Sequence, residues 1–352
     1  MKIVHWVGIT PNACGLYEHA KDQIAAERSV GIDSQAIDFR IVPKLPSEGT
    51  GEKESIGDIL TDGWLTSISV KETQNADINV IHSGIPERNK SERPNVLVLH
   101  GRPEYAFALA VKGNRSHYQD YMSYRYDERY PKFAYFWPEH TFTWEMVFPK
   151  KKLACLPAFI DEDRFSPGGK LADLGNTRGD VNLLVADIWR EDVTPYNCTL
   201  AAAEFVKKYQ PKAKIHIMGL GNYNSPAIQG HLGILKDNDV LGTAAGIMNN
   251  PAEFYRTCDI MISPQVIATR SVREAMSCGM VVVAGQGATF TPFTANPMDI
   301  SGYAKVIDKA YRYWKRTGGQ VRTEMNKKAT GMWNKKQGGE AFLNLYKEIL
   351  GC

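Results

Sequence analysis

The chain has 352 residues, 43% of them hydrophobic, with 42 basic side chains against 39 acidic ones. That length suits two domains of ordinary size, and the near-cancelling charge excludes a strong global field aimed at nucleic acid or an acidic membrane. Its 6 cysteines are scattered without a C-x-x-C pair, the opening MKIVHWVG reads as a strand rather than a signal peptide, and no apolar run approaches about 18 residues; a disulfide scaffold, a zinc ribbon and a transmembrane helix are not expected, and a cytoplasmic setting is.

Lys2 to Gly8 predicts a buried strand. A loop from Ile9 to Gly15 follows, then a helix from about Leu16 to Ser29 that stops at Gly31, then a second strand from Ser34 to Phe39. This β-loop-α-β opening starts a doubly wound α/β domain, but G-x-G-x-x-G is absent, so a dinucleotide fingerprint is not supported. Gly15 fits a turn that needs positive φ. His19, one turn into the helix, is expected on the surface. Pro43 to Glu72 is polar and predicts an irregular excursion with one short helix. Asp77 to His82 and Asn95 to His100 are apolar runs that each end on histidine. A histidine at the carboxyl end of a parallel strand points into the crevice where such sheets bind ligands, which makes His100, then His82, candidate site residues. Gly101 lets the chain turn after His100, and Arg102 and Glu104 stand just beyond.

From Arg115 to Trp144 the chain is dense in aromatics: Tyr118, Tyr121, Tyr124, Tyr126, Tyr130, Phe133, Tyr135, Phe136, Trp137, Phe142 and Trp144, with Arg115, Arg125, Arg129 and Lys132 between them. A helix packing its rings on the core, followed by a strand from Phe133 to Trp137, accounts for about half. The surplus suits a cleft for sugar rings or, with the arginines, for bases. Lys152 to Pro167 reads KLACLPAFIDEDRFSP, in which Asp161 can cap a turn, Phe165 can anchor and Pro167 stops structure. The polar, glycine-rich stretch after it reads as a linker, 166–180, between a first domain of 1–165 and a second of 181–330.

Val181 to Ala186 begins the second sheet. The loop Asp187 to Asp192 holds one cation, Arg190, which either meets an anionic ligand or pairs with its acidic neighbours. A helix from Tyr196 to Tyr209 and a strand from Lys214 to Met218 follow, the latter ending in Gly219-Leu220-Gly221, whose glycines permit close backbone approach. Asp239 to Gly242 reads as a short strand and Pro251 to Thr257 as a short helix. The stretch SPQVIATRSVREAMSCGMVVVAG, Ser263 to Gly285, is a compressed β-α-β unit: strand end, polar turn, a helix opening at Ser271, then a strand from Met280 to Ala284. Ser271 and Glu274 fit a capping box, and Arg270 beside a helix N-terminus makes a ready anion site. Ile300 to Lys315 and Trp333 to Leu350 are amphipathic helices.

Glu274-Ala275-Met276-Ser277-Cys278-Gly279 with the strand behind it, and Leu156 to Asp161 with Arg164-Phe165-Ser166-Pro167, together resemble retaining glycosyltransferases of the GT-B fold, the family-4-like group 1 transferases. The resemblance implies two Rossmann-like doubly wound domains facing a cleft, and a C-terminal helix, 331–352, that packs back on the N-terminal domain. It implies transfer of a sugar from a nucleotide-diphosphate donor, UDP above all, to an acceptor hydroxyl, with retention, with no cofactor and no bound metal; no D-x-D motif stands in the donor loop. On the donor side it implies Gly15, Arg190, Gly219, Gly221, Arg270, Ser271 and Glu274, with Ala244 to Met248 near the base; on the acceptor side His82, Arg102, Glu104, Tyr135 and Trp137; and His100 at the reaction centre. Glu274 stands where the family binds the donor ribose, and closing a cap remains its other role. The family's first glutamate is replaced by Val266, and its G-R and K-G dipeptides are missing, with Arg190 as substitute. The acceptor is a sugar, a lipid or a modified DNA base. Other readings are a phage-type glucosyltransferase acting on hydroxymethylated DNA bases, a sugar-nucleotide epimerase or hydrolase of the same fold, and a non-catalytic nucleotide-binding protein.

Overall fold

The structure is a computed structural model that describes residues 1–7, 15–38, 75–82, 92–100, 103, 123–186, 194–220, 225–246 and 250–352. The chain divides into two compact units, Met1–Phe159 with Lys335–Cys352, and Ile160–Asn334. In chain order the described helices are α1 (Gly15–Ser29), α2 (Thr141–Val147), α3 (Thr194–Tyr209), α4 (Pro226–Asp237), α5 (Pro251–Thr257), α6 (Arg270–Ser277), α7 (Ile300–Thr317), α8 (Gln320–Met332) and α9 (Lys335–Leu350).

The first unit is built on β1 (Lys2–Val7), β2 (Asp33–Asp38), β3 (Ile78–His82), β4 (Asn95–Val98), β5 (Lys132–Tyr135) and β6 (Leu153–Cys155). They pair in the order β2-β1-β3-β4-β5-β6, every pair parallel. A parallel sheet must be covered on both faces, which is why its strands are near-continuous apolar runs. Ile3, Ile78, Val80, Val96 and Val98 face Ala26 of α1 and Phe342, Leu345 and Tyr346 of α9. Val4, Trp6, Ile81, Leu97, Phe133 and Tyr135 face Trp144, Val147 and Phe148 on the other side. Trp6, Trp144, Phe133 and Phe148 are among the largest fully buried side chains, and each contributes on the order of 1.5–3 kcal/mol by leaving water. The two helices on the first face approach closely because α9 carries Gly338-Gly339. A Cβ at Gly339 would strike the carbonyl oxygen of Ala26, and one at Gly338 would lie 2.6 Å from the Phe159 ring.

The second unit uses β7 (Asn182–Ala186), β8 (Lys214–Met218), β9 (Leu241–Ala244), β10 (Ile260–Ile262), β11 (Val281–Gly285) and β12 (Thr294–Ala295), in the order β12-β11-β10-β7-β8-β9, again all parallel. The order reverses between β7 and β10, and the crevice outside the carboxyl ends of those two strands is where open α/β sheets take ligands. The core joins Leu183, Val185, Ile260, Ile262, Val281 and Val283 to Phe205 of α3 and Tyr303 and Ile307 of α7.

Several elements differ from expectation. β9 begins at Leu241, because Asp239 adopts φ 55 and turns the chain before the strand. The short helix α2, the helix α8 and the two-residue β12 carry too little apolar pattern to be read from sequence; α8 buries only Val321 and Ala329, whereas α4, also not expected, buries Ile228, Leu232 and Leu235 at helical spacing. The polar stretch 166–180 lies in the second unit. The backbone N–H of Ala172 donates to Thr257 Oγ1 at 2.8 Å, and the Arg256 guanidinium donates to the carbonyls of Ser166 and Arg164 at 2.8 and 2.7 Å. Among the described residues no helix is long and apolar enough to cross a membrane.

Candidate active site

On the face of the first sheet covered by α1 and α9, three adjacent strands each carry a histidine. His5 of β1 lies opposite Val80, two residues before His82 of β3, and His82 lies opposite Val98, two residues before His100. The row therefore climbs two residues per strand towards the carboxyl edge. His5 Nδ1 is 2.9 Å from His82 Nε2, and His82 Nδ1 is 3.0 Å from His100 Nε2. His5 and His82 are fully buried, and His100 is partly exposed. At the inner end, His5 Nε2 meets Glu27 Oε2 of α1 at 2.8 Å. Ser34 donates to the same carboxylate oxygen, while Gln23 Nε2 (2.8 Å) and the Tyr346 hydroxyl of α9 (2.6 Å) donate to Oε1.

Burial alone would push the Glu27 carboxyl up. Electrostatic attraction to the His5 ring and hydrogen bonds from His5, Ser34 and Tyr346 outweigh it and hold the group below its usual value, so it is a carboxylate. Burial, then the neighbouring His5, His100 and His19, push His82 well below the ordinary imidazole value, and burial takes His100 down to about 3. Both rings are therefore neutral near pH 7. His19 corrects an expectation: it is 7% exposed, with its ring 4.9 Å from His100, 4.5 Å from Phe136 and 5.2 Å from Phe159. The α1 surface it occupies is the one that covers the sheet.

In the second unit the turn after β10 is held from both sides. Ser263 N–H donates to Val283 O at 2.9 Å, and its carbonyl accepts from the Tyr303 hydroxyl at 2.7 Å. α6 starts at Arg270, with Thr269 as N-cap and no side-chain cap bond. The capping box expected of Ser271 and Glu274 does not form. Ser271 Oγ instead lies 3.2 Å from Thr269 Oγ1, and the Glu274 carboxylate accepts from the Arg270 guanidinium one turn earlier, a pair with side chains 6% and 15% exposed. Tyr255 packs against the same carboxylate; burial first, then the charge of Glu274, pushes its phenol well above the usual range. The Arg270 guanidinium also lies 5.9 Å over the Phe165 ring, and Ser277 Oγ donates to the Phe165 carbonyl. The two most specific motifs of the sequence thus meet in one cluster. Gly279 lets α6 turn into β11: it has φ +91, and a Cβ there would lie 2.7 Å from the Arg322 side chain.

Of the residues singled out from sequence, His82 and His100 share the histidine row, and Trp137 lies on the same face, its ring 6.3 Å from that of Phe136. Tyr135 points to the opposite face, 3% exposed, with its hydroxyl 2.8 Å from Thr141 Oγ1. Arg270, Ser271 and Glu274 stand together on α6. Gly219 follows β8 with φ 96, and its N–H donates to the Gly246 carbonyl at 3.2 Å. Gly15 is the first residue of α1. Arg102, Glu104, Arg190, Gly221 and Met248 lie outside the described residues. Val266 is 45% exposed. Sequence reasoning missed His5, Glu27, Ser34 and Tyr346. The available signal was polar residues at core positions: a histidine inside an apolar strand, and Gln23 and Glu27 one turn apart on the covered side of α1. His216 in the second unit shows what a purely structural histidine looks like here. Burial takes it down to about 4, Thr243 N–H donates to its Nδ1 at 3.0 Å, and Nε2–H donates to Asn182 at 3.1 Å, so both nitrogens are used internally.

No protein-family model and no curated protein sequence matches the chain. Solved structures do. A glycosyltransferase from Rickettsia africae ESF-5 is 13% identical, with 99% of this chain and 98% of that one covered at a TM-score of 0.65. Anabaena HepE in complex with UDP and glucose is 12% identical, with 98% and 99% covered at 0.67. Sucrose-phosphate synthase from Thermosynechococcus elongatus is 14% identical, with 100% and 99% covered at 0.67. With its two six-stranded parallel sheets, the chain has the α/β fold of the GT-B glycosyltransferases.

Proposed function

We propose that the protein is a glycosyltransferase that moves a sugar from a nucleoside diphosphate, UDP fitting best, to an acceptor hydroxyl, with retention at the sugar carbon and without a bound metal ion. The observation that carries this reading is the end-to-end match, in both directions, to glycosyltransferases, one of them in complex with UDP and glucose. The cluster at the switch point of the second sheet supports it. Arg270 opens α6, where free backbone N–H groups and the helix dipole favour a diphosphate, and Glu274 is an acceptor for ribose hydroxyls. Gly219 belongs to the same carboxyl edge, and Arg190 is the cation assigned to the diphosphate from the sequence. Stabilising the charge that builds on the departing diphosphate is the step such a site supplies. Val266 offers the sugar no polar contact, which leaves its orientation to other groups. On the first unit, His100 is the group assigned to the acceptor hydroxyl, with Trp137, on the same face beyond Phe136, as an aromatic surface; the acceptor is a glycan, a lipid or a modified base.

The test is a thermal-shift screen with UDP-, GDP- and ADP-sugars, followed by product analysis. UDP-glucose is expected to raise the melting temperature, since a ligand at 100 times its Kd adds about 2.7 kcal/mol. NMR of the product should show the donor's anomeric configuration, and chelator should leave the rate unchanged. Absence of any shift with all three nucleotide sugars overturns the reading.

A further inference from the structure

The row from Glu27 to His100 is more polar than a sheet core needs. Valine or isoleucine at positions 5 and 82 would extend the apolar face formed by Ile3, Ile78 and Val80, whereas a buried imidazole is costly unless every nitrogen is satisfied. Here each inner nitrogen is satisfied by the next ring. Glu27 accepts from Ser34, Gln23, Tyr346 and His5, which fills its four lone-pair positions. As a carboxylate it only accepts, so the nitrogen of His5 facing it, Nε2, carries a proton.

That proton leaves the row two states, set by whether His5 Nδ1 carries a second one. With His5 neutral, its Nδ1 accepts from His82 Nε2–H, His82 Nδ1 accepts from His100 Nε2–H, and His100 Nδ1 bears a lone pair. With His5 charged, every bond in the row reverses, and His100 Nδ1 bears a hydrogen. Among the described residues, His100 Nδ1 has no hydrogen-bond partner, and it belongs to the one partly exposed ring of the row.

We propose that Glu27, His5 and His82 form a proton relay serving His100, which fixes its resting tautomer and draws inward the proton that Nδ1 takes from the acceptor hydroxyl. The proposal rests on the reading of His100 as the acceptor-side group. In the step, the hydroxyl O–H bond breaks and Nδ1–H of His100 forms. Nε2–H of His100 passes to Nδ1 of His82, and Nε2–H of His82 passes to Nδ1 of His5. The positive charge comes to rest on His5 against the Glu27 carboxylate. The acceptor oxygen keeps its electron pair and bonds to the sugar carbon, while the bond from that carbon to the diphosphate breaks with its electrons on the leaving group. After product leaves, the row runs backwards and returns one proton to water. The titratable groups facing the row are Glu27 and Tyr346 at its inner end and His19 beside His82 and His100. Tyr346 stays protonated, because burial, then Glu27, pushes its phenol well above the usual range. Glu27, His5 and His82 are positioning residues; only His100 touches substrate.

The test uses the full chain labelled with 15N-histidine. Long-range 1H–15N spectra near pH 7.5 should show His82 and His100 as neutral Nε2–H tautomers; an Nδ1–H tautomer or a mixture at His100 overturns the relay without any variant. Release of UDP from UDP-glucose, with water as the probe acceptor, gives the second readout. Glu27→Gln keeps the shape but removes the charge that holds protonated His5, so the rate should fall by at least about 10-fold while UDP binding stays at the parent level, and Glu27→Asp should recover part of it. His100→Asn separates the two ideas. If it releases UDP at the parent rate, the role of His100 fails. If it is slow while Glu27→Gln keeps the parent rate and pH profile, the relay alone fails. Should Glu27→Gln not fold, the tautomers of the parent protein decide.

Discussion

Glu274 is 4% exposed and shares its carboxylate between Arg270 and Tyr255, so neither member of the ion pair is a free surface charge. Removing one partner of a buried pair leaves the other without compensation, which costs about 3–5 kcal/mol. Arg270→Ala should therefore lower stability by about 3 kcal/mol in urea titrations besides weakening donor binding. Glu274→Gln is the cleaner probe of the ribose contact, because Arg270 keeps 15% side-chain exposure and solvent offsets its lost partner. We expect UDP-glucose affinity by calorimetry to fall about tenfold, as a charge-assisted contact becomes a neutral one, with a stability loss of about 1 kcal/mol. Parent-like affinity would leave Glu274 as a partner of Arg270 only. The sequence displayed both residues but not their pairing. The S-x-x-E pattern points to a cap, and only the start of α6 at Arg270 puts the two side chains one turn apart. His5 and Glu27 were harder to see, since they stand 22 residues apart and the Tyr346 hydroxyl that closes the cluster comes from 319 residues beyond Glu27. His100 and His82 were visible because strand ends are where ligands bind.

α9 is fixed to α1 by shape as much as by apolar area. Gly339 allows the backbone of Ala26 to lie against it, and that approach brings the Tyr346 hydroxyl within 2.6 Å of Glu27. Gly339→Ala would raise intrinsic helix propensity by roughly 1 kcal/mol. The new methyl must nevertheless displace a backbone carbonyl, an overpacking that costs about 1–3 kcal/mol. The expected sum is a lower melting temperature, whereas Gly331, where an added methyl would meet open space, should gain from the same change. A stabilised Gly339→Ala would show that the helices are free to separate. Tyr346→Phe tests the same contact by chemistry; losing a hydrogen bond to a buried charge should cost about 1.5–3 kcal/mol. At this scale the strands were legible wherever apolar runs ended in glycine or a polar turn, as at Met280 to Ala284. The exceptions are short or weakly patterned: β12 has two residues, and α2 presents Phe142 and Met146 to solvent.

Across the whole molecule, buried ionisable groups set the pH range in which the fold is most stable. His82 and His100 in the first unit and His216 and His231 in the second have folded-state values lowered by burial, to about 3 for His100 and about 4 for His216. An unfolded histidine takes a proton near 6.5, so below that pH the unfolded chain binds more protons and stability falls. The contribution is fully present above about pH 6.5 and is lost as pH drops towards the folded values. For a histidine held neutral in the fold the loss between pH 7 and pH 5 is about 2 kcal/mol. Glu27, with a lowered value, adds to the loss only at lower pH, where unfolded carboxylates take protons. Asp259 is raised by burial and acts in the opposite sense over that same acid range. On the alkaline side burial raises Cys278 to about 12 and pushes Cys258, Tyr255, Tyr303 and Tyr346 up as well. Those groups ionise first in the unfolded chain, so their stabilisation is present below about pH 8.5 and is lost as pH rises. The melting temperature should therefore form a plateau near pH 7 to 8, fall clearly by pH 5 and fall again above about pH 9. His216→Gln, which retains a hydrogen-bonding side chain without a titrating ring, should flatten part of the acid slope. A parent protein whose melting temperature stays level from pH 7 to pH 5 would mean that these rings are protonated in the fold; both nitrogens of His82 and His100 would then be donors, and the ring-to-ring hydrogen bonds of the histidine row could not form.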